Sequence, residues 1–468
     1  MGQPSVINQP KEKRVNNFRE VSLGYSKKIA SDEAQRCPQC VDATCLFGCP
    51  LGIDIPGFIR LLREGQTVAA LKKIKEQNPF PAICGRICPA PCEKAFVLTG
   101  AKATGLPVDL AAVLARGFMP RASGNPKGRP LTKEEASIGI RALERYAADF
   151  GRERLSEPPQ ACQGKKVAVI GSGPMGLTAA AALAQRNYQI TLFEVMEEVG
   201  GLLRYGIPEF RLPKDVLDEE IQSLKKFGIE IKTNCFFNKR EHIKRLLQEG
   251  FAAVVLTLGG GRPASPPISG LHYTGVYFAQ EFLMRVNHFK TERILRDPSV
   301  VNIGGRVVVL GSNQAALDCA RIAVRMQREV TVVFASVQED LRVPFNELME
   351  AKDEGVKIEP LTQPLAIVAD EKNCVRGVKC QPMDFADPDS KEQWQLLPVV
   401  ESEFILEADT VIVSGGQQRN SMVEELVGLE GVFVPQQDSS AHGSVVEAMA
   451  AGKKIAGQMD EYLKKAKG

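Results

Sequence analysis

Three things are scarce in this 468-residue chain. It has no apolar run of about eighteen residues, the least that a membrane-spanning helix needs. Charge of one sign is scarce too: 59 Lys and Arg face 56 Asp and Glu, a net charge of +3. No long basic stripe is present, so nucleic acid is not an expected partner. Histidine is almost missing. His242, His272, His288 and His442 show no ligand spacing and read as surface or packing residues, and no side chain stands out as an acid–base catalyst. The polar start, MGQPSVINQPKEKR, lacks the apolar stretch of a signal peptide, so the expected compartment is the cytoplasm.

Cysteine, by contrast, is plentiful and uneven. Of 12 cysteines, seven fall at Cys37, Cys40, Cys45, Cys49, Cys84, Cys88 and Cys92. The other five (Cys162, Cys235, Cys319, Cys374, Cys380) are scattered and read as small buried hydrophobes. A secreted disulfide framework suits a short exported chain, which this is not. In a reducing compartment the clustered thiols read as metal ligands. Zinc knots pair two CxxC arms; the compressed, unequal spacing here, closed by Cys49-Pro50, fits iron–sulfur clusters better. Zinc and a structural role remain the alternatives.

The length predicts two to four domains. A helical, cysteine-bearing segment is expected over 1–155, with IPGFIRLLREGQTVAALKKIKEQ as a helical stretch, a Gly/Pro/basic loop over 100–134, and a helix in ASIGIRALERYAADFGRE that uses Ile140, Leu143, Ala147 and Phe150 as its apolar face. Short β-branched runs then alternate with helices: KKVAVIGSG, YQITLFE and FAAVVLTLGG, and again RVVVLGSN, EVTVVFAS and ADTVIVSGG. This is an α/β pattern with two Rossmann-like nucleotide-binding domains, glutathione-reductase-like in arrangement. The expected units are an FAD-type domain over 163–300 plus 417–468 and an NAD(P)-type domain over 301–416. The last segment, VVEAMAAGKKIAGQMDEYLKK, reads as an amphipathic helix.

VAVIGSGPMGLTAAAALAQRNYQITLFE is a complete dinucleotide fingerprint. Gly171 permits the tight turn, Gly173 lets backbone approach a pyrophosphate, and Gly176 allows close helix–strand packing. The following helix N-terminus offers free N–H groups to an anion. Glu194, at the end of the second strand, is placed to accept a hydrogen bond from a ribose hydroxyl.

CPQCVDATCLFGCP, NPFPAICGRICPAPCE, VAVIGSGPMGL and GGLLRYGIPEFRLPK carry a resemblance to a family over most of the chain. The sequence is similar to the small subunit of bacterial glutamate synthase, to the large subunit of the bifurcating ferredoxin:NADP transhydrogenase, and to the N-terminal half of dihydropyrimidine dehydrogenase. The resemblance implies two [4Fe–4S] clusters, FAD in the first nucleotide fold, NAD(H) or NADP(H) in the second, and electron transfer with other redox subunits or ferredoxin. It implies Cys49, Cys88, Cys92 and Glu144 as one ligand set; without it, Glu144 reads as a solvated helix residue. It implies Cys37, Cys40, Cys45 and a fourth cysteine as the other set, but Phe96 stands at that fourth place. Cys84, another group or subunit, a [3Fe–4S] cluster or no cluster at all are the ways to account for it. For FAD the resemblance implies Gly171, Ser172, Gly173, Pro174, Glu194, Gly201, Leu202, Thr257, Gly259 and Asp438.

The second fold departs from that pattern. Gly311 and Asn313 remain as nucleotide-binding candidates, but Ser312 replaces a glycine, and Phe334-Ala335-Ser336 stands where relatives place an aromatic and two arginines. Such arginines would grip the 2′-phosphate of NADP; Arg342 is the candidate substitute. NADH binding, NADPH binding through substitutes, and a scaffold without nucleotide are all open. Two functional readings follow: an NAD(P)H-dependent oxidoreductase subunit, or an electron-wire or assembly subunit of a larger complex. A zinc-bearing nucleotide-binding regulator is a third.

Overall fold

The computed structural model describes residues 3–40, 43–96, 137–152, 162–288, 301–338, 343–385, 395–418, 425–435 and 443–465. The loop read over 100–134, together with Asp438, Arg342 and His442, lies outside them.

Seven short helices carry the cysteines and their surroundings: Lys27–Gln35, Thr44–Phe47, Ile55–Arg63, Thr67–Lys75, Pro81–Ile87, Pro91–Ala95 and Ile140–Phe150. The stretch expected to be helical from Ile55 breaks in two at Gly65, whose φ of +74° suits glycine and ends the first helix. Asp54 starts that helix by accepting the Gly57 N–H at 3.0 Å. In Ile140–Phe150 the buried face holds Ile140, Leu143 and Ala147, but also Glu144 and Arg145. Phe150, expected on the apolar face, ends the helix 64% exposed.

The two nucleotide-type folds follow. The first sheet is parallel, in the order Val432–Phe433, Ala253–Leu256, Lys166–Ile170, Gln189–Phe193, Glu230–Lys232. The second, also parallel, runs Lys357–Glu359, Glu329–Val333, Arg306–Leu310, Thr410–Val413, Val276–Phe278. Residues 276–278, read with the first unit, thus pair into the second sheet. The buried, β-branched centres of these strands match parallel pairing with covered faces. A four-stranded antiparallel sheet was not anticipated: Thr362–Ala369, Val375–Phe385, Leu396–Pro398 and Phe404–Glu407. Its strands are half-exposed and carry Pro364, Gly377 and Pro382, with a register shift between Pro364 and Ala366, so the sequence reads there as broken.

The expected C-terminal helix spans Val445–Lys465 and packs on Pro174–Ala184. Contact is close at Gly452, where a Cβ would collide with the Met175 carbonyl. One hydrophobic core contains Cys45, Cys84, Cys88 and Cys92, Val167 and Val169 of the first sheet, Leu177, and Met449 and Ile455 of the C-terminal helix. The cysteine domain and the first nucleotide fold therefore share an interior.

The second fold is joined to the rest by buried charge. Arg321 and Arg325 straddle the carboxylate of Glu354, with bonds of 2.7–3.2 Å. Both guanidinium groups lie over the Phe210 ring, at 4.9 and 4.0 Å. Phe210 in turn packs on Phe18 and accepts the Val21 N–H at 2.9 Å. Its neighbour Arg211 pairs with Asp318 and Glu347 at 2.9 Å each. The GGLLRYGIPEFRLPK segment is thus a clasp between the first fold, the second fold and the N-terminal arm. Among the described residues no helix is long and apolar enough to cross a membrane.

Candidate redox sites

The first glycine loop is shaped by close approaches. Gly171 has a φ of +101°, and a Cβ there would lie 2.5 Å from the Thr257 carbonyl. A Cβ on Gly176 would collide with the Gly171 carbonyl. Thr257 holds the turn from the next strand, its hydroxyl donating to the Ile170 and Gly171 carbonyls at 2.9 and 2.8 Å. Gly173 is different: a Cβ there would meet no atom within 4 Å. Its missing side chain leaves open space at the N-terminus of helix Pro174–Ala184, where free N–H groups favour an anion. Gly259 is likewise open.

Glu194 is buried beside this loop. Oε2 accepts the Ser172 N–H at 3.0 Å and the Ser172 hydroxyl, and Oε1 accepts the Met196 N–H at 2.9 Å. Three of about four acceptor positions on the carboxylate are used, which leaves room for a ribose hydroxyl. Ser172 Oγ accepts the Gly200 N–H at 2.9 Å, tying the loop to the GGLL segment. Gly201 then sits so close that a Cβ would come 2.8 Å from the Gly173 Cα. Leu202 is 43% exposed beside it. Gly171, Ser172, Gly173, Pro174, Gly176, Glu194, Gly201, Leu202 and Thr257 are thus gathered at one end of the first sheet.

The second glycine loop is built differently. Asn313 caps helix Gln314–Arg325 by accepting the Ala316 N–H at 3.0 Å. The same Oδ1 accepts the Ser414 hydroxyl at 2.7 Å, and Nδ2 donates to the Ser414 carbonyl at 3.1 Å. The amide that sequence assigned to a nucleotide is occupied within the fold. Phe334 is buried in the core of the second fold.

The cysteines divide into two groups. Cys37, Cys40 and Cys45 lie within electrostatic reach of one another. Cys49, Cys84, Cys88 and Cys92 form the other group with Glu144. Glu144 is therefore a buried neighbour of thiols, and the solvated reading of it fails. Its Oε1 accepts the Asn78 amide at 2.7 Å, and burial pushes its carboxyl up to about 8 against that bond. Cys84 lies near Glu144, with Sγ 3.5 Å from Met449 Sδ. Burial likewise pushes Cys45 and Cys88 up to about 12.

Iron suits this donor set. Soft acidic groups buried together need a cation to hold them as thiolates, and Lys453 and Arg141 are basic groups near the larger set. Among the described residues no three Cys, His, Asp or Glu groups close on one point as a single ion requires. A cubane, with its irons bridged by sulfide, spreads its thiolates more widely.

Comparison with known proteins agrees with this geometry. Residues 14–115 match the family described as dihydropyrimidine dehydrogenase domain II, 4Fe–4S cluster. Residues 110–247 and 165–434 match the pyridine nucleotide-disulphide oxidoreductase family. The chain belongs to that family. It is 30% identical to the Escherichia coli glutamate synthase [NADPH] small chain, covering 88% of this chain and 82% of that one. It is 29% identical to the NADP(+)-dependent formate dehydrogenase subunit beta of Moorella thermoacetica, over 91% of this chain and 60% of the relative. With the Geobacter sulfurreducens NADPH-Fe(3+) oxidoreductase subunit beta the figures are 30%, 89% and 57%. The chain thus spans less than two thirds of those last two relatives. Mycobacterium tuberculosis FprA in complex with NADPH shares the fold, with a TM-score of 0.53, 17% identity, and coverage of 65% of this chain and 86% of that one. An iron–sulfur domain joined to an FAD/NAD(P)-type oxidoreductase domain is the architecture the sequence led us to expect.

Sequence reasoning missed Ser414, Met449 and Lys453. Lys453 Nζ donates to the Leu51 carbonyl at 3.0 Å and to the Gln77 amide oxygen, fastening the C-terminal helix to the cysteine domain. No local motif marks Met449 or Lys453, for which the helical period of the C-terminal segment was the available signal, and Ser414 follows directly on the strand run of ADTVIVSGG.

Proposed function

We propose that this chain is an FAD- and iron–sulfur-containing electron-transfer subunit of a multisubunit oxidoreductase. It passes electrons between NAD(P)H, or a partner's donor, and a partner subunit or ferredoxin. The observation that carries this reading is the shared interior. The C-terminal helix touches Cys84 through Met449 and the first dinucleotide helix through Gly452. A bound flavin converts two-electron hydride chemistry into single electrons that iron–sulfur clusters can carry. The residues position these groups. Gly171, Gly173 and Gly176 clear space at a helix N-terminus, Glu194 is poised for the ribose, and Cys49, Cys88, Cys92 and Glu144 supply buried donors. The relatives named for glutamate synthase, formate dehydrogenase and Fe(3+) reduction support work within a complex.

Anaerobic titration of the purified chain tests this. NADH or NADPH should bleach the flavin within the mixing time. Bleaching by reduced ferredoxin or dithionite alone would favour the second reading, an electron wire whose second fold is a scaffold. The Asn313–Ser414 bonds are the observation on that side.

A further inference from the structure

The GGLLRYGIPEFRLPK segment rests one end on the first glycine loop and is short of backbone donors. Pro208 and Pro213 carry no N–H. Helix Leu202–Tyr205 is a single turn, and the Gly206 and Ile207 N–H groups both return to the Leu202 carbonyl, at 2.8 and 3.0 Å. Carbonyls beyond that point must find side-chain donors. Lys214, the last residue of the segment and the first of helix Lys214–Lys225, supplies them. Its amine turns back and donates to the carbonyls of Leu203, Ile207 and Leu212 at 3.3, 2.6 and 3.1 Å. An ammonium has three donors, and each has found an acceptor.

The same turn is a wall of the first nucleotide site. The Gly200 N–H donates to Ser172 Oγ at 2.9 Å, and Gly201 stands against Gly173 with no room for a Cβ. Leu202 starts the helix beside them. Arg204, the other cation of the turn, is engaged elsewhere, with the Val199 carbonyl at 2.7 Å and with Glu198 and Asp218. Glu209 accepts the Lys214 backbone N–H, 3.2 Å from each of its oxygens, which ties the lysine's main chain to the same segment. The Lys214 amine thus gathers the segment from Leu203 to Leu212.

We propose that Lys214 is a positioning residue of the first nucleotide site: by gathering three carbonyls it keeps Gly201 and Leu202 against the glycine loop, and so sets how firmly FAD is held. This rests on the reading of the first fold as an FAD site and names the residue that holds one of its walls. A methionine would fill the same space but leave the three carbonyls without donors, and the turn would loosen. A glutamine brings two N–H donors on a shorter stem and would restore part of the hold.

The test uses the full chain with its flavin, at neutral pH. FAD release is followed by fluorescence after dilution, and amide hydrogen exchange is read along the chain. Lys214→Met should release FAD about tenfold faster than the parent chain. Exchange should quicken at the 203–207 amides while strand Arg306–Leu310 of the second fold stays as protected as before. Lys214→Gln should fall between the two in both readings. Unchanged FAD release in Lys214→Met would overturn the inference, as would a glutamine no better than the methionine. Exchange that quickens in both folds alike, or failure of both variants to fold, would overturn it too, since either marks a general structural role. A parent chain that takes up no FAD would overturn the proposed function first, a result distinct from altered release.

Discussion

Gly173 and Asn313 occupy the same station in two copies of one device, the N-cap of the helix that follows the first strand of a nucleotide fold. At Gly173 a side chain is missing and the space is open. At Asn313 a side chain is present and both its polar atoms are bonded, to Ala316 and to Ser414. The first loop presents bare backbone N–H groups; the second has turned its cap toward the neighbouring strand. One topology can thus keep a ligand cradle or convert it into an internal brace, and the choice lies in single side chains.

Four changes would break or sharpen that comparison. The largest effect on cofactor content is expected from Gly173→Val. Its φ of −66° suits any residue and its Cβ meets nothing, so the chain should fold while the cradle is filled. FAD content should fall at least about tenfold, a loss of roughly 1.4 kcal/mol or more in binding, read by absorbance and thermal unfolding; retained flavin would place it elsewhere.

Next is Glu354→Gln. It removes the carboxylate that Arg321 and Arg325 share, leaving Arg321 with Glu350 alone and Arg325 buried beside a neutral amide, at a cost of about 3–5 kcal/mol to the second fold. Urea unfolding should show it, with the first fold's flavin retained. Burial pushes the Glu354 carboxyl up, but Arg321 and Arg325 outweigh it and hold the group down at about 2. Its folded value lies below the unfolded one, so the stability it contributes is complete above the ordinary carboxylate range and is lost as pH falls toward about 2.

Lys214, in the clasp, gives the opposite sign. Burial lowers it to about 8 although Glu209 raises it, while its amine donates to the Leu203, Ile207 and Leu212 carbonyls. The unfolded chain binds the proton more tightly, so stability should rise as pH climbs from about 8 toward the ordinary lysine value. Lys214→Met should abolish that rise in pH-dependent thermal unfolding.

Ser312→Gly is the mildest. Removing a β-carbon from the second loop should raise NADH or NADPH affinity by roughly threefold, under 1 kcal/mol, measured by calorimetry. No binding in either form would assign the second fold to a scaffold.

How much was legible follows the range of the forces involved. Strand Lys166–Ile170, its glycine loop and Glu194 form one local unit, and residue type at fixed spacing was enough to place it. The C-terminal helix was legible from its period. Glu144 was not: it reads as one more polar helix residue, and its burial depends on Asn78 and on thiols far along the chain. The same holds for the clasp, where Phe210 meets Arg321 and Arg325 more than a hundred residues away. The strand at 276–278 was assigned with its sequence neighbours because nothing local reveals that it pairs with 411–413. The antiparallel sheet was hidden by the prolines and glycine within its strands.

The central claim is that buried thiols and an open glycine cradle share one interior because electrons pass between the groups they hold. Chemical analysis of the anaerobically purified chain for iron, acid-labile sulfide and FAD tests it most directly. The account predicts iron and sulfide in equal amounts together with one FAD per chain. Zinc without sulfide, or a colourless chain without flavin, would contradict it.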